Sequence, residues 1–297
     1  MLNAIFVAAL VALSVGETHS VKVNENTEVK LTLRQDALQI VWNCMEKNME
    51  YVNSFYKTPQ WNVWKGEAVE CTFSPFAWEK NPDQVGYPNY LQRTNPSNYT
   101  FFFLYGKRRM SCLFTSKTVR SDKDWTVEWN IPFAGLETSN YPDAASDKIF
   151  PPGSTWGFKF YRRSETGGKK TESSTPIIQV QFPKEVMEPY RQIMLIHYKG
   201  AKTGKTGVSR ITCTLRNTTD KEFTGKAKLC LLAGEEVSVL KEIDVKVAAQ
   251  GTMQIDEQVT LPEKAAKFHI RTVVEDQNGL PVRISYDLPL ENPWVEF

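Results

Sequence analysis

The chain has 297 residues, of which 41% are hydrophobic and 24% charged, and its formal net charge is +2. This composition is typical of a globular protein of about two domains. A charge balance so close to zero gives no electrostatic footprint for nucleic acid or for a membrane surface. Aromatic residues reach 12%, with eight Trp that lie mostly in the first half. This excess fits either a β-sheet core or a sugar-stacking surface.

The N-terminus carries an apolar run, Ala4–Leu13, followed by small residues up to Gly16. This pattern resembles a secretory signal peptide, and the run is too short to span a bilayer. No basic residue precedes it, so a buried N-terminal strand is the alternative. We expect residues 1–20 to form a signal peptide, cleaved near Gly16 or Ser20. The mature protein is then expected to be extracellular or periplasmic.

Alternating apolar and polar residues predict that most of the first half is strand. In the clearest example Trp125, Val127, Trp129 and Ile131 alternate with polar residues, and Pro132 then ends the strand. The predicted strands are Glu28–Arg34, Ala37–Glu46, Glu67–Phe73, Tyr99–Gly106, Met110–Phe114, Trp125–Ile131 and Trp156–Arg163.

The longest predicted loop is Ala77–Asn98, which is rich in Pro and Asn and contains Trp78, Tyr87 and Tyr90. A loop of this length in a compact domain is usually either functional or disordered. Its aromatic residues make it a candidate binding segment.

The segment Lys199–Gly207 is rich in Gly, Lys and Thr, as expected of a flexible linker between domains. We therefore expect a first domain over 21–198 and a second over 205–297. The strands predicted for the second domain are Val208–Arg216, Lys226–Leu232, Val237–Val247, Thr252–Leu261, Lys267–Val274 and Pro281–Leu288, with Ile193–Tyr198 as a candidate seventh. About seven short strands in some 100 residues are typical of an immunoglobulin-like sandwich.

Three segments in a fixed order suggest a known family for the first domain. They are Trp64-Lys65-Gly66-Glu67-Ala68-Val69-Glu70, then Trp125-Thr126-Val127-Glu128-Trp129-Asn130-Ile131-Pro132, then Gly153-Ser154-Thr155-Trp156-Gly157-Phe158-Lys159-Phe160-Tyr161-Arg162. The set resembles the family 9 carbohydrate-binding modules and their wider family-9-like relatives, over roughly residues 25–185. The resemblance implies a jelly-roll-like β-sandwich that binds sugars without cutting them.

The same resemblance implies a ligand site. Trp64 would stack on a terminal sugar ring, and Glu70 would accept hydrogen bonds from the sugar hydroxyls. A second Trp that sugar-binding members carry after the last strand is missing here, where Tyr161 and Arg162 stand instead. Trp78, Tyr87 and Tyr90 are candidates for the missing second ring face. The alternative is a structural or protein-interaction module that has lost its sugar site.

Paired carboxylates such as Glu70 and Glu128 would be needed for glycoside hydrolysis. Both lie in predicted strands, and Arg162 belongs to a strand of the same sheet system in the family arrangement. We therefore expect a structural ion pair between Glu128 and an arginine of that strand, Arg162 or Arg163, and no enzyme activity. An arginine partner lowers a carboxyl pKa, which does not suit a general acid.

No cofactor is indicated by the sequence, although structural calcium is a minor alternative. Its candidate ligands are the loop carboxylates of Asp122, Asp124, Asp143 and Asp147. The five Cys lack metal-site spacing, and a Cys213–Cys230 disulfide is a minor alternative to buried free thiols.

The sequence as a whole predicts an all-β protein of two tandem β-sandwiches. The expected function is non-catalytic carbohydrate binding in polysaccharide utilisation, without nucleic-acid binding or a membrane span. Membership of a glycoside hydrolase system ranks third, after the interaction module.

Overall fold

The computed structural model describes residues 10–57, 66–75, 90–104, 113–136, 152–166, 169–200, 208–233, 236–260, 269–285 and 288–289. Strands dominate these ranges, so the predicted all-β class is confirmed. The chain divides into two compact units. The first comprises Met1–Pro132 and Gly153–Met187, and the second comprises Phe133–Pro152 and Glu188–Phe297.

The first unit contains two sheets and two short helices. Its strands are β1 (Leu10–Ala12), β2 (Thr18–Asn24), β3 (Thr27–Leu33), β4 (Ala37–Met45), β5 (Ala68–Ser74), β6 (Tyr90–Thr94), β7 (Thr100–Leu104), β8 (Thr115–Arg120), β9 (Asp124–Pro132), β10 (Thr155–Thr166), β11 (Lys169–Ser174) and β12 (Ile178–Gln181). Its helices are α1 (Met49–Phe55) and α2 (Lys184–Met187). Sheet A has the order β1-β12-β10-β5-β6-β7, with β11 also paired to β10, and sheet B has the order β2-β3-β4-β9-β8.

Large side chains from both sheets fill the space between sheet A and sheet B. The β9 residues predicted to face inward are fully buried, including Trp129. Trp42 of β4 packs edge-on against Phe160 of β10, with 5.5 Å between the ring centroids. The indole N–H of Trp129 donates to Thr94 Oγ1 of β6 over 2.9 Å. These contacts make the first unit a sandwich of two sheets.

The second unit is also a sandwich. Its strands are β13 (Ile193–Gly200), β14 (Val208–Asn217), β15 (Phe223–Ala233), β16 (Glu236–Val247), β17 (Thr252–Thr260), β18 (His269–Asp276), β19 (Pro281–Ile284) and β20 (Leu288–Pro289). It also contains helix α3 (Pro189–Gln192) and a 3₁₀ turn over Phe133–Gly135. One sheet has the order β13-β14-β17, the other β16-β15-β18-β19, and β20 pairs with β18. A shared apolar core receives side chains from both sheets.

The boundary between the units differs from the predicted one. The predicted domain bounds end the first domain at residue 198, but β13 pairs antiparallel with β14 and so belongs to the second unit. The alternative that Ile193–Tyr198 supplies a seventh strand of the second domain is confirmed. The predicted linker Lys199–Gly207 begins inside β13, and its residues 201–207 lie outside the described ranges. The chain therefore re-enters the second unit at Glu188. Composition alone pointed to a flexible segment and could not show which strands it joins.

Two predicted loops contain strands, β6 within Ala77–Asn98 and β8 after Phe114. The end of the predicted signal peptide is also built into the sheets. Strand β1 pairs in parallel with β12, and β2 pairs with β3. A mature chain beginning after Gly16 would lose β1 and keep β2. Export stays a prediction.

Cys213 and Cys230 are buried free thiols, so the minor alternative of a disulfide between them is wrong. Cys213 belongs to the apolar core of the second unit, together with Leu229 and Leu231 of β15. Because neighbouring residues of a strand point to opposite faces, Cys230 is directed away from that core.

A buried arginine links three backbone segments of the second unit. Arg283 of β19 is only 2% exposed. Its guanidinium donates to the carbonyl oxygens of Leu136, Tyr190 and Ile193. These carbonyls lie at the 3₁₀ turn, in α3 and at the start of β13. One side chain of the second unit thus binds backbone on both sides of residues 153–187, the segment that belongs to the first unit. Leu136 precedes that segment, and Tyr190 and Ile193 follow it.

Replacing Arg283 with Met should destabilise the second unit by about 3 kcal/mol or more, because three carbonyl oxygens would lose a buried donor. The measurement is chemical unfolding of the full chain. Arg210→Met is the matched control, since Arg210 is exposed and pairs with exposed Asp256, and surface pairs contribute little. Equal stability of the two variants would contradict the role given to Arg283.

Candidate functional site

The residues predicted to bind a sugar have different positions. Trp64, Trp78 and Tyr87 lie outside the described residues. Glu70 is in β5, and Tyr90 is the first residue of β6.

Tyr90 is a core residue, so the prediction that it offers an exposed ring face is wrong. Its side chain is 3% exposed. The ring stacks on Phe73, with centroids 5.1 Å apart and planes 14° apart, and also contacts Phe114. The cause is the register of β6, which places Tyr90 directly opposite Phe73 on the apolar face of sheet A.

Glu70 belongs to a row of charged side chains on the outer face of sheet A. Residues of β5 alternate, so Glu70 points away from the face that carries Phe73. Its Oε2 accepts from both Nε and Nη2 of Arg93, which is its register partner on β6. Its Oε1 lies 3.5 Å from Nη2 of Arg163, and Nη1 of Arg163 lies 2.7 Å from Oε2 of Glu172. We call Arg93, Glu70, Arg163 and Glu172 the outer charge row.

The outer charge row runs from the buried part of the sheet toward solvent. The side chains of Arg93 and Glu70 are 3% and 5% exposed, whereas those of Arg163 and Glu172 are 37% and 44% exposed. Burial lowers the pKa of Arg93 to about 10, so its guanidinium stays charged at neutral pH. The formal charges of the four side chains sum to zero.

A second group of charged residues surrounds Arg162 at one end of the space between the sheets. Nη2 of Arg162 donates to both Glu46 Oε1 and Glu67 Oε2. Its Nη1 donates to the Ala68 carbonyl at 3.3 Å, and its guanidinium carbon lies 5.1 Å from the Trp125 ring centroid. Because Glu46 and Trp125 come from sheet B and its adjoining turn, Arg162 holds the two sheets together. We call Glu46, Glu67, Arg162 and Glu165 the inner cluster.

Gly66 and Glu67 are anchored to this inner cluster through their backbones. Gly66 N donates to Glu165 Oε2 at 3.1 Å, and Glu67 N donates to the Tyr56 hydroxyl at 2.7 Å. Gly66 has a φ of 83°, and a Cβ there would lie 2.5 Å from the Tyr56 hydroxyl oxygen. Both facts favour glycine at this position. Burial is the main cause that raises the pKa of the Glu67 carboxyl, to about 7.

The predicted ion pair between Glu128 and an arginine of the Trp156–Arg163 strand is wrong. Arg162 pairs with Glu46 and Glu67, and Arg163 pairs with Glu70 and Glu172. Glu128 is exposed, and its Oε1 accepts a hydrogen bond from Gln39 Nε2 of β4 at 2.6 Å. Buried Val127 and Trp129 flank it, so Glu128 points out of sheet B, whereas Arg162 points inward from sheet A. The two side chains therefore lie on opposite sides of sheet B. The prediction that Arg162 is structural agrees with its buried contacts.

Sequence reasoning missed Arg93, Arg163, Glu46 and Glu67 as members of these networks. Strand alternation does predict the directions in which the neighbouring side chains of Arg162 and Arg163 point. Arg162 shares the parity of Phe158 and Phe160, which predicts that it points inward, whereas Arg163 has the opposite parity. The partners of these arginines depend on the pairing of strands far apart in sequence, which alternation does not give.

The calcium candidates do not gather in the part of the chain that the structure describes. Asp122 is exposed, and Asp124 Oδ1 accepts from the Ser121 hydroxyl at 2.5 Å. Asp143 and Asp147 lie outside the described ranges. Among the described residues, no group of three His, Cys, Asp or Glu side chains is arranged to hold a metal ion. No helix within those residues is long and apolar enough to cross a membrane.

No protein-family model matches the chain, and a search of curated proteins gave no match. Among solved structures, similarity was found to a DUF4785 family protein from Legionella pneumophila (TM-score 0.27, 9% identity, covering 90% of this chain and 58% of that one). Red sea bream transglutaminase gave a TM-score of 0.27 at 8% identity, covering 90% and 31%. A calcium-binding mutant of Bacteroides uniformis β-glucuronidase 2 gave 0.25 at 9%, covering 87% and 29%.

The chain thus spans less than two thirds of each of these structures. Similarity at these TM-scores carries no argument about function.

Replacing Arg162 with Met should destabilise the first unit by about 4 kcal/mol, because the buried carboxylate of Glu67 and the partly buried one of Glu46 would lose their partner. Glu128→Gln is the matched control on the other sheet and should unfold like the parent protein, since its carboxylate is exposed. Chemical unfolding of the full-length variants, followed by Trp fluorescence, measures both effects. Strong destabilisation by Glu128→Gln would restore the rejected pair.

Proposed function

We propose that the protein is a non-catalytic carbohydrate-binding protein and that its first unit binds a neutral sugar at the outer charge row. The observation that supports this most is the row itself. It places a carboxylate and two guanidinium groups side by side on adjacent strands of one sheet. Its outer end, at Arg163 and Glu172, is partly exposed.

The chemistry of the row suits a polyhydroxyl ligand. Sugar hydroxyls both donate and accept hydrogen bonds, and charged partners make the stronger ones. Arg163 has an Nε with no hydrogen-bond partner among the described residues, although this atom is buried. Glu172 Oε2 and Arg163 Nη1 are already held together by their own ion pair. Such preorganised groups lose little conformational entropy when a ligand binds.

The charge of the row favours an uncharged ligand. Two arginines and two glutamates balance, so an anionic ligand would have to displace a carboxylate from its arginine. A sugar hydroxyl can instead bind at the open end without breaking an ion pair. Trp64, which precedes Glu70 by six residues, is the proposed stacking partner through the resemblance to family 9 modules.

Binding without catalysis is supported by the state of the carboxylates. Glu70 and Glu172 are both paired with arginine, so their carboxylate oxygens are used as acceptors within the charge row. Glu67 has a raised pKa of the kind seen in catalytic acids. However, its side chain is 3% exposed and binds Arg162, which is a structural arrangement.

A second candidate function is a structural or protein-interaction module. It is favoured by the burial of Glu70 and Tyr90, the two described residues among the predicted sugar contacts. Both make interactions that serve the fold. In this alternative the sandwich is kept and no sugar binds.

We propose further that the protein is exported and takes part in polysaccharide use. The apolar run Ala4–Leu13 supports export. N-terminal sequencing of protein from the native host should find the chain beginning after Gly16 to Ser20, and an intact Met1 on cytoplasmic protein would contradict export.

The binding proposal is tested by titrating the full chain against a panel of neutral mono- and oligosaccharides, with calorimetry as the readout. We expect at least one to bind with a Kd of roughly 1 mM, or about −4 kcal/mol. Arg163→Gln should weaken that binding about tenfold without unfolding the protein, because Arg163 is partly exposed. Arg210→Gln in the second unit is the matched control and should bind like the parent.

Two outcomes would contradict sugar binding at this row. If no carbohydrate of the panel binds, the interaction module becomes the better proposal. If a sugar binds equally well to the parent and to Arg163→Gln, the site lies elsewhere.

A further inference from the structure

The inner cluster contains more negative charge than its single arginine balances. Glu46 and Glu67 share one guanidinium nitrogen of Arg162. The carboxylate of Glu165 is bound next to them through the Gly66 amide, and Glu67 Oε1 in turn accepts from the Glu165 amide at 3.1 Å. Three ionised carboxylates around one guanidinium give a net charge of −2. The side chains of Arg162 and Glu67 are only 6% and 3% exposed, and excess negative charge beside groups so poorly solvated is unfavourable.

We propose that the inner cluster is a pH-sensitive clamp on Gly66 and Glu67, the two residues directly before β5. The clamp holds these residues more firmly below neutral pH than above it. Protonation of one carboxyl reduces the net charge of the cluster from −2 to −1. When the proton is on Glu67 Oε2, Glu67 Oε1 can still accept the hydrogen bond from the Glu165 amide.

The other ionisable groups that face Glu67 do not titrate near neutral pH. Directly after α1, the Tyr56 hydroxyl lies against the Glu67 backbone, and burial raises the pKa of this hydroxyl well above the usual value. From β4, burial raises the pKa of the Cys44 thiol to about 11. From β10, burial lowers the pKa of Arg162, but an arginine side chain stays protonated in proteins. The titration therefore belongs to the Glu67 carboxyl, whose pKa burial raises to about 7.

The sign follows from the raised pKa. A carboxyl that is protonated more readily in the clamped state than in the open state favours the clamped state at low pH. That contribution is complete below the ordinary glutamate pKa of 4.5 and is lost as the pH rises to about 7. The clamp holds Gly66, and Gly66 directly follows residues 58–65. That segment contains Trp64, the proposed stacking partner of the sugar. If sugar binding occurs as proposed above, it should weaken over the same pH range.

The test is amide hydrogen exchange of the full chain at about pH 6 and about pH 8, corrected for the intrinsic exchange rates and read at Gly66 and Glu67. Protection of these amides should fall roughly tenfold between the two conditions, because about one unit of titration lies between them. In Glu67→Gln the side chain stays neutral, so protection should not change with pH. Glu128→Gln, which removes an exposed carboxyl of the same unit, should show the same protection of these two amides as the parent at both pH values.

Equal protection of the parent at both pH values would overturn the proposal, as would a pH-dependent loss that persists in Glu67→Gln. A second measurement needs no variant. The side-chain carboxyl carbon of Glu67, followed by NMR in the parent protein, should titrate near pH 7, and titration below about pH 5 would overturn the clamp. Neither readout uses a sugar, so their failure is distinct from failure of the proposed function.

Discussion

The first unit depends on a buried positive charge between its two sheets. Arg162 brings a guanidinium into the end of the sandwich, where water cannot solvate it, so the fold must supply acceptors. It does so from sequence-distant places, with Glu46 after β4, Glu67 before β5 and the Ala68 carbonyl. These acceptors can meet the arginine only if β10 lies beside β5 in the observed register and sheet B covers it. One charge thus constrains the pairing within sheet A and the packing of sheet B on it.

The neighbouring arginine has a different role because the strand alternates. Arg163 follows Arg162 directly but points to the outer face, where Glu70 and Glu172 pair with it. The inward arginine is buried between the sheets, and the outward one is partly exposed. The second unit also contains a buried structural arginine, Arg283, which donates hydrogen bonds to backbone carbonyls of three segments. Burial, more than residue type, separates structural arginines from candidate binding arginines in this protein.

The sequence predicted much of the fold because alternation is a local property. The bounds of β3, β4, β5, β9, β14 and β17 agree with the predicted strands to within one residue at each end. Alternation also holds the reason why Glu128 is exposed, since its buried neighbours Val127 and Trp129 point inward. The ion pair expected for Glu128 came from the resemblance to family 9 modules. The alternation of buried and exposed residues along β9 contradicts that pair.

The errors share a physical cause, which is that strand pairing is not local. The composition of Ala77–Asn98 predicts a loop at Tyr90, whereas Tyr90 lies in β6 and its register partner on β5 is Phe73. The domain bounds predicted from composition end at the flexible segment, whereas β13, the candidate seventh strand of the second domain, pairs with a strand beyond that segment. The outer charge row also requires β6, β5, β10 and β11 to be neighbours, and composition does not show this.

The central claim is that Arg162 and Glu67 are energetically coupled across the end of the sandwich. A double-mutant cycle of Arg162→Met and Glu67→Gln, measured by chemical unfolding of the full chain, tests it most directly. Our account predicts a coupling energy of about 1 kcal/mol or more, because each substitution removes the partner of the other. Additivity of the two single effects within about 0.5 kcal/mol would contradict it.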